Sequence, residues 1–205
     1  MRTFTINKDP YDEGFNIYKK DKITIRPGVT ILVGCNGSGK TTLIQRMKKK
    51  LRQDKTLYIS FDNLTDGGTN SRAEAGFLGD LDFLATSLCS SEGEEIQMNL
   101  GRFAGKIGKL QTNNPEAKEL WVFLDSVDSG LSIDSLDELK NLFSLILENS
   151  GDTEIYIVTA ANSYELARNE ACFDVCQCKY VNFESYEDYR NFILNSRATK
   201  DKRQS

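Results

Sequence analysis

One stretch of the sequence, GCNGSGKT from Gly34 to Thr41, has residue types and spacing that suit phosphate binding. It matches the pattern G-x-x-x-x-G-K-[ST] at every fixed position and lies between an apolar β-branched run and a helix-forming run. Glycines let backbone amides turn toward phosphate oxygens, and the helix start adds positive dipole. We therefore predict that Lys40 contacts the β- and γ-phosphates of ATP and that the Thr41 hydroxyl faces Mg²⁺. The predicted cofactor-binding residues here are Gly34, Asn36, Gly37, Ser38, Gly39, Lys40, Thr41 and Thr42.

A second candidate is Asp125, which ends the apolar run WVFLD. A carboxylate at the end of a buried strand, downstream of a phosphate loop, is typical of a group that orients Mg²⁺ and its waters beside the loop threonine. We therefore predict that Asp125 is both a catalytic residue and a metal ligand together with Thr41.

Short apolar runs that alternate with helix-spaced runs must position these groups. This alternation predicts an α/β fold with a mainly parallel sheet flanked by helices, in one domain over residues 1–205. Within it, 64–112 is a predicted loop and helical insertion, and 196–205 is a polar, frayed tail. The predicted strands are 29–34, 56–63, 119–125, 154–160 and short ones within 173–183. One predicted helix follows the phosphate loop, and two more cover about 80–88 and 95–110. A further helix is predicted to start near Ser135, with Glu138 completing a capping box, and the last follows Ser185.

Composition limits the chemistry further. The 205 residues contain no histidine, which excludes imidazole bases and imidazole metal sites, and the net charge of −4 indicates no broad basic face. The sequence lacks both an apolar run long enough to span a bilayer and a signal-peptide pattern at its start, so we expect a cytoplasmic protein without a membrane partner. Cys172, Cys176 and Cys178 have strand-like alternation and are predicted to be buried rather than to bind metal.

Taken together, these motifs resemble the ABC-class P-loop ATPases, especially the SMC- and RecF-like branch without transporter subunits. Within that resemblance, this chain looks like a small standalone AAA-family ATP-binding protein. GCNGSGKTT (Gly34 to Thr42) looks like the Walker A motif of that class, and LDSVDSGLS (Leu124 to Ser132) is similar to its Walker B motif and D-loop. The resemblance implies an ABC-type nucleotide-binding domain that binds Mg·ATP and forms a head-to-tail homodimer when ATP is bound.

The same resemblance gives a meaning to SEGE, residues Ser91 to Glu94. The class carries a signature at a helix start, and this run keeps its serine and its second glycine. In the family this segment binds the γ-phosphate of ATP held by the other subunit. The resemblance therefore implies that Ser91 and Gly93 bind nucleotide across a dimer interface, where a helix N-terminus favours an anion.

The sequence departs from the family pattern at the positions that would activate water. Ser126 stands where the family has its catalytic glutamate, and a serine hydroxyl is a poor base near neutral pH. Asp128 is the candidate replacement base, and Asn162 is a candidate γ-phosphate sensor where the switch histidine is missing. In place of the family's Gln-containing loop, Asp62 is a candidate metal contact, together with Asn63. We therefore expect ATP binding with slow hydrolysis.

Several alternatives stay open at this point. The same phosphate loop occurs in small-molecule and nucleotide kinases, and an ATP-binding regulatory module without hydrolysis would carry the same motifs. A transporter ATPase subunit is disfavoured by the degenerate signature. We expect an unidentified protein partner, and Lys48 to Lys50, Arg52 and the basic tail leave a nucleic-acid contact open.

Overall fold

The computed structural model describes residues 1–6, 18–62, 86, 92–129 and 131–204, with the side chains of 92, 93 and 202–204 left out of the description. Most of the predicted insertion 64–112, including the helix predicted near 80–88, lies outside these residues. Strands and helices are numbered here in chain order among the described residues. The strands are β1 (Arg2–Thr5), β2 (Lys22–Ile25), β3 (Gly28–Val33), β4 (Leu57–Asp62), β5 (Glu119–Asp125), β6 (Glu154–Ala160), β7 (Cys172–Asp174) and β8 (Lys179–Val181). The helices are α1 (Lys40–Gln53), α2 (Glu92–Asn113), α3 (Ile133–Glu148), α4 (Tyr164–Ala167) and α5 (Tyr186–Gln204).

The central sheet has the strand order β4-β5-β6-β3-β7-β8. All neighbouring pairs in it are parallel except β7 with β8, which are antiparallel. The predicted α/β fold with a mainly parallel sheet is thus confirmed. The inner strands β3, β5 and β6 are short, apolar and largely buried on both faces, which is the pattern that a parallel sheet covered by helices requires.

Alternate residues of the strands pack against different layers. On β5, Trp121 and Phe123 face α1 and the β1–β2 pair, whereas Val122 and Leu124 face α2, α3 and α5. The indole of Trp121 stacks on Tyr156 at 4.0 Å between ring centroids. The antiparallel β1–β2 pair covers this aromatic layer, because the Phe4 ring meets Trp121 edge-on at 5.1 Å.

The carboxyl ends of β3, β4, β5 and β6 meet at one edge of the sheet. The helix after β3 lies on one face and the helix after β6 lies on the other, although β3 and β6 are neighbours. Adjacent parallel strands whose connections leave to opposite faces open a crevice between their carboxyl ends. The loop at residues 34–39 follows β3 and Asn162 follows β6, so both border this crevice.

Two local predictions differ from the structure. The segment 196–205, predicted as a frayed tail, is helical through Gln204, and Ser196 in it is buried. Helix α3 has Ser132 as its N-cap rather than Ser135, because the Ser135 hydroxyl and the Glu138 carboxylate both accept hydrogen bonds from Gln97 of α2. Among the described helices, none combines the length and the apolar character needed to cross a bilayer.

Candidate nucleotide-binding site

The loop from Gly34 to Gly39 connects β3 to α1, and its shape depends on glycine. Gly34 has φ +152°, and a Cβ atom there would lie 2.5 Å from Ser38 Oγ and 3.2 Å from Val175 Cγ2. Such contacts are too short for any side chain, so the loop can close only with glycine at this position. The turn is held by the Ser38 amide, which donates to the Cys35 carbonyl at 3.1 Å.

The first turn of α1 is open toward the crevice. Gly39 is the N-cap residue in the left-handed conformation, with φ 88°, and no side chain caps the helix. Amides at the start of an uncapped helix are available to an anion, and the helix dipole favours negative charge there. Tyr18 supports this turn from outside, because its hydroxyl donates to the Gly39 carbonyl at 2.8 Å.

Lys40 lies inside the loop that it follows. Its ammonium donates to the Gly34 carbonyl at 2.8 Å and to the Cys35 carbonyl at 3.4 Å. Burial lowers the pKa of Lys40, while nearby acidic groups, including Cys35, Asp128 and Asp125, oppose the decrease. A buried ammonium held only by neutral carbonyls is well placed to exchange them for phosphate oxygens, which form stronger, charge-assisted hydrogen bonds.

The predicted metal-binding residues come together at the ends of β4 and β5. Asp62 and Asp125 are register partners on these parallel strands. Asp125 accepts a hydrogen bond from the Thr41 hydroxyl, yet its Oδ2 atom is buried without a hydrogen-bond partner. Burial raises the pKa of Asp125; the Thr41 hydrogen bond opposes this increase and the charge of Asp62 adds to it.

These residues fit Mg²⁺. The ion takes oxygen ligands, keeps several waters and binds through one or two carboxylates together with substrate phosphates. The unpartnered Asp125 Oδ2 atom needs a positive partner, and the Thr41 hydroxyl beside it can supply a further oxygen. Since the described residues contain no cluster of three or more Asp, Glu, Cys or His side chains, phosphate oxygens and water would complete the coordination.

Ser126 and Asn162 line the same cavity as the phosphate loop, whereas Asp128 does not. The Asp128 carboxylate accepts the backbone amide of Ser163 at 2.7 Å and the backbone amide of Asn162 in a shorter hydrogen bond. Its Oδ1 atom lies 3.5 Å from Asn162 Nδ2. The hypothesis that Asp128 activates water is therefore not supported by this geometry; the carboxylate instead holds Asn162 in place.

The cavity has a volume of about 500 Å³ and gathers most of the predicted phosphate-binding residues. Gly34 is not among the described residues that line this cavity. Gly93 lies in the first turn of α2, and Ser91 and Asn63 lie outside the described residues. The residues that line the cavity are Tyr18, Asn36, Gly37, Ser38, Gly39, Lys40, Thr41, Thr42, Arg46, Asp125, Ser126, Ala160 and Asn162.

The sequence analysis missed two groups of residues at the site. Arg46 places its guanidinium 5.3 Å from the centre of the Tyr18 ring, and both line the cavity. Helix α5 also reaches the loop: Ser196 Oγ accepts the Cys35 amide at 3.3 Å, and Lys200 Nζ donates to the Asn36 carbonyl at 3.2 Å. The helical spacing of Arg46 was a usable signal, because it lies one turn after Thr42; nothing in the sequence marks the α5 contacts.

Other predicted features have local explanations. Cys172, Cys176 and Cys178 are buried, as predicted, and burial raises the pKa of Cys172 to about 12. In the basic run of α1, Lys50 pairs with Asp54 at 2.7 Å, and Arg52 donates to the Tyr58 hydroxyl at 2.9 Å. Tyr18 is buried and packs in the core cluster that includes α1.

The fold and the site define a nucleotide-binding P-loop ATPase of the AAA type. A family model described as an AAA domain matches residues 24–166, which include the phosphate loop, Asp125 and Asn162. The chain therefore belongs to the AAA domain family. The search of curated proteins found no match.

Among solved structures, the chain is similar to one in the structure of Drosophila ORC bound to GC-rich DNA and Cdc6. The identity is 14%, the TM-score is 0.35, and the match covers 72% of this chain. This chain spans only 22% of the length of that one, so no functional argument is drawn from the match.

Proposed function

We propose that this protein binds Mg·ATP and hydrolyses it slowly, and that the bound nucleotide acts as a switch on a partner. The observation that carries the proposal is the buried Lys40 ammonium, which donates to the loop carbonyls of Gly34 and Cys35. Near it lies the Asp125 Oδ2 atom, which is buried and has no hydrogen-bond partner in the described part of the chain. A positive group and a negative group that both lack a strong partner suit a ligand that is itself a magnesium phosphate.

Slow hydrolysis is supported by what surrounds the terminal phosphate position. Ser126 borders the cavity with a hydroxyl that is a poor base, and the nearest replacement, Asp128, is occupied by two backbone amides. Loss of a general base commonly lowers the rate by about 10² to 10⁴. The same observations favour a second candidate function, an ATP-binding regulatory module that does not hydrolyse ATP at all.

The dimer is the finer part of the proposal and follows the ABC-type, SMC-like resemblance. Two copies would pair head to tail, with each ATP between the phosphate loop of one copy and the Ser91 to Gly93 segment of the other. Its support in the structure is that α2 begins at Glu92, so this segment leads into a helix start, where an anion is favoured. Such an ATP-dependent dimer would control how a protein partner, or a nucleic acid, is bound.

Binding and turnover are tested together on purified protein. We expect calorimetry to show Mg·ATP binding that Lys40→Ala weakens about 1,000-fold, since two charge-assisted hydrogen bonds are lost. Lys50→Ala, which removes an exposed ammonium of the same helix, is the matched control and should leave ATP affinity unchanged. Steady-state phosphate release near ten per second, abolished by Lys40→Ala, would contradict slow hydrolysis.

The dimer is tested separately by size analysis with and without Mg·ATP. We expect an ATP-dependent dimer for the wild type and a monomer for Ser91→Arg under both conditions. A monomer for the wild type at saturating ATP would remove the dimer from the proposal but leave ATP binding intact. Phosphate transferred from labelled ATP to a small molecule would instead identify a kinase.

A further inference from the structure

Positive charge is concentrated in one stretch of the chain, although the protein as a whole carries a net charge of −4. The segment from Tyr18 to Gln53 contains ten lysines and arginines and a single acidic residue, Asp21, so its net charge is +9. This segment comprises β2, β3, the phosphate loop and α1. The net charge alone gave no indication of a broad basic face, because it averages over this uneven distribution.

The β1–β2 pair and α1 form one layer on the same face of the central sheet, because their buried apolar residues belong to one hydrophobic cluster. The Arg2 guanidinium, at the start of the pair, contacts the carboxylate of Asp54, the C-cap of α1, at 2.6 Å. At the other end, the Arg46 guanidinium of α1 lies 5.3 Å from the centre of the Tyr18 ring, which precedes β2. The outer surfaces of the pair and the helix are therefore neighbours and form a single exposed surface.

The outer side of this layer carries cations and hydroxyls. Strand β2 alternates between the buried Ile23 and Ile25 and exposed polar residues, so its polar side chains point away from the core. The Thr24 hydroxyl lies 2.9 Å from the Thr3 hydroxyl of β1, also on the exposed side. The exposed cations of this layer are called the basic face below, and they are Lys19, Lys20, Lys22, Arg26 and Lys49.

The charge of the basic face is not neutralised by the residues that the structure describes. None of its five cations forms an ion pair with another described residue. Arg26 instead lies over the Tyr180 ring at 4.3 Å, which fixes the direction of its guanidinium. The neighbouring Asp54 is already paired with Arg2 and Lys50. A surface with one sign of charge and no internal counterions attracts a polyanion.

The residue types favour a nucleic-acid backbone over a membrane. Stable peripheral membrane binding takes an apolar anchor as well as cations, yet none of the exposed large apolar side chains among the described residues lies between Tyr18 and Gln53. Lysine, arginine and threonine are usual donors to phosphate oxygens. Single-strand binding uses exposed aromatic rings for stacking, and the described residues of this segment include none, so a duplex fits better.

We infer that the basic face binds the phosphate backbone of duplex nucleic acid without reading its base sequence. The binding follows from the charge of the face and does not require ATP, whereas control of that binding by nucleotide rests on the proposed function. The basic face adjoins the phosphate loop, because the hydroxyl of Tyr18, the residue before Lys19, donates to the Gly39 carbonyl at 2.8 Å.

The first experiment measures the affinity of the full chain for short DNA and RNA duplexes of mixed sequence, by fluorescence anisotropy without nucleotide. Five phosphate contacts predict an affinity that falls about 500-fold between 50 and 200 mM salt, with a slope of about −4.5 on logarithmic axes. The DNA and RNA arms identify which duplex is bound, and binding of either one with this salt dependence supports the inference.

The second experiment removes charge from the face. Lys20→Gln combined with Lys22→Gln should weaken duplex binding about 50-fold near 0.1 M salt and reduce the slope by about two. Lys106→Gln combined with Lys109→Gln is the matched control, since it removes the same charge from exposed positions of α2 on the opposite face of the sheet. The control should bind the duplex as the wild type does. All four side chains are exposed, so both double variants should fold, and circular dichroism checks this.

The inference is overturned if no duplex binds at 50 mM salt, if the two double variants lose affinity equally, or if the matching single strand binds more tightly than the duplex. Binding to phosphatidylcholine vesicles that contain phosphatidylserine, in place of the duplex, would identify a membrane as the ligand and would also overturn it. The duplex titration is then repeated with the magnesium complex of a non-hydrolysable ATP analogue. An unchanged duplex affinity would count against the proposed switch alone and leave duplex binding intact.

Discussion

The two ends of the candidate site are built in different ways. The end that would grip the phosphates consists of contiguous residues, Gly34 to Thr41, whose contacts are mainly with one another. The end that would activate water depends on Ser126, Asp128 and Asn162, which come from two separate strand ends. The positions of the phosphate-binding residues are therefore set by the loop itself, whereas the positions of the residues near the attacking water depend on how the strands pair in the sheet.

The difference also concerns chemistry. At the binding end, the Asp125 Oδ2 atom is buried without a hydrogen-bond partner among the described residues, and Mg²⁺ would supply one. At the other end, the Asp128 carboxylate already accepts hydrogen bonds from the backbone amides of Asn162 and Ser163. This difference between the two ends is what the proposed slow-hydrolysing switch requires.

The largest expected effect is an increase in ATP turnover when a carboxylate is introduced at Ser126. Ser126→Glu places a carboxylate at the cavity wall and should raise ATP turnover about 100-fold, measured as steady-state phosphate release. Ser126→Ala is the control and should leave turnover unchanged. Because Ser126 already holds its side chain at φ 57°, the glutamate adds little backbone strain, and a melting curve checks that the fold is kept. Equal turnover in all three proteins would show that a base at this position is not what limits the rate.

The next effect tests the binding end. Gly34→Ala forces a Cβ atom to within 2.5 Å of Ser38 Oγ at a positive φ, so we expect the free energy of unfolding to fall by about 2–3 kcal/mol in urea. Gly105→Ala in α2 is the matched control. A Cβ there meets nothing within 4 Å, and helix propensity should raise stability by up to about 1 kcal/mol. Similar losses in both variants would contradict the role of the loop glycine.

A third change separates positioning from base catalysis at Asp128. Asp128→Ala leaves the amides of Asn162 and Ser163 without an acceptor, so the free energy of unfolding should fall by about 2 kcal/mol and turnover about tenfold. Asp128→Asn keeps an oxygen acceptor and should retain most of the activity. If Asp128 were the base, both variants would be equally inactive. Asp137→Ala, exposed on α3, is the stability control.

The smallest effect is the pH dependence of the nucleotide-free protein. The pKa of Asp125 is raised by burial above its ordinary value of 3.8, so the folded state binds the proton more tightly than the unfolded state. Stability therefore falls as pH rises from 3.8 through the higher folded pKa. Asp125→Asn removes this loss, so it should raise the free energy of unfolding near pH 7 while weakening Mg·ATP binding.

The control for this titration has the opposite sign. The pKa of Asp134 is lowered by its hydrogen bond with Ser132, so its contribution is present above 3.8 and is lost as pH falls below that value. Asp134→Asn should therefore lower the free energy of unfolding at neutral pH and leave it unchanged in acid. A stability profile of Asp125→Asn that matched wild type across this range would contradict the burial of an uncompensated carboxylate.

The strands and the loop that could be predicted from the sequence are those specified by residues that lie close together in the chain. The runs that became β3, β4, β5 and β6 were recognised because buried parallel strands need continuous apolar, β-branched residues. The phosphate loop was recognised because positive-φ glycines, a lysine and a threonine must follow one another at short spacing. The β1–β2 pair was missed, since short edge strands carry few residues from which a pattern can be read.

What the sequence alone determined is the phosphate-binding chemistry from Gly34 to Thr42 and the strand that delivers Asp125. Only the tertiary structure decided that Asp128 accepts the backbone amides of Asn162 and Ser163, that Tyr18 supports the loop, and that α5 places Lys200 on the Asn36 carbonyl across 164 positions of the chain. The physical reason is that local patterns reflect backbone conformation and burial, whereas these contacts depend on which strands become neighbours in the sheet.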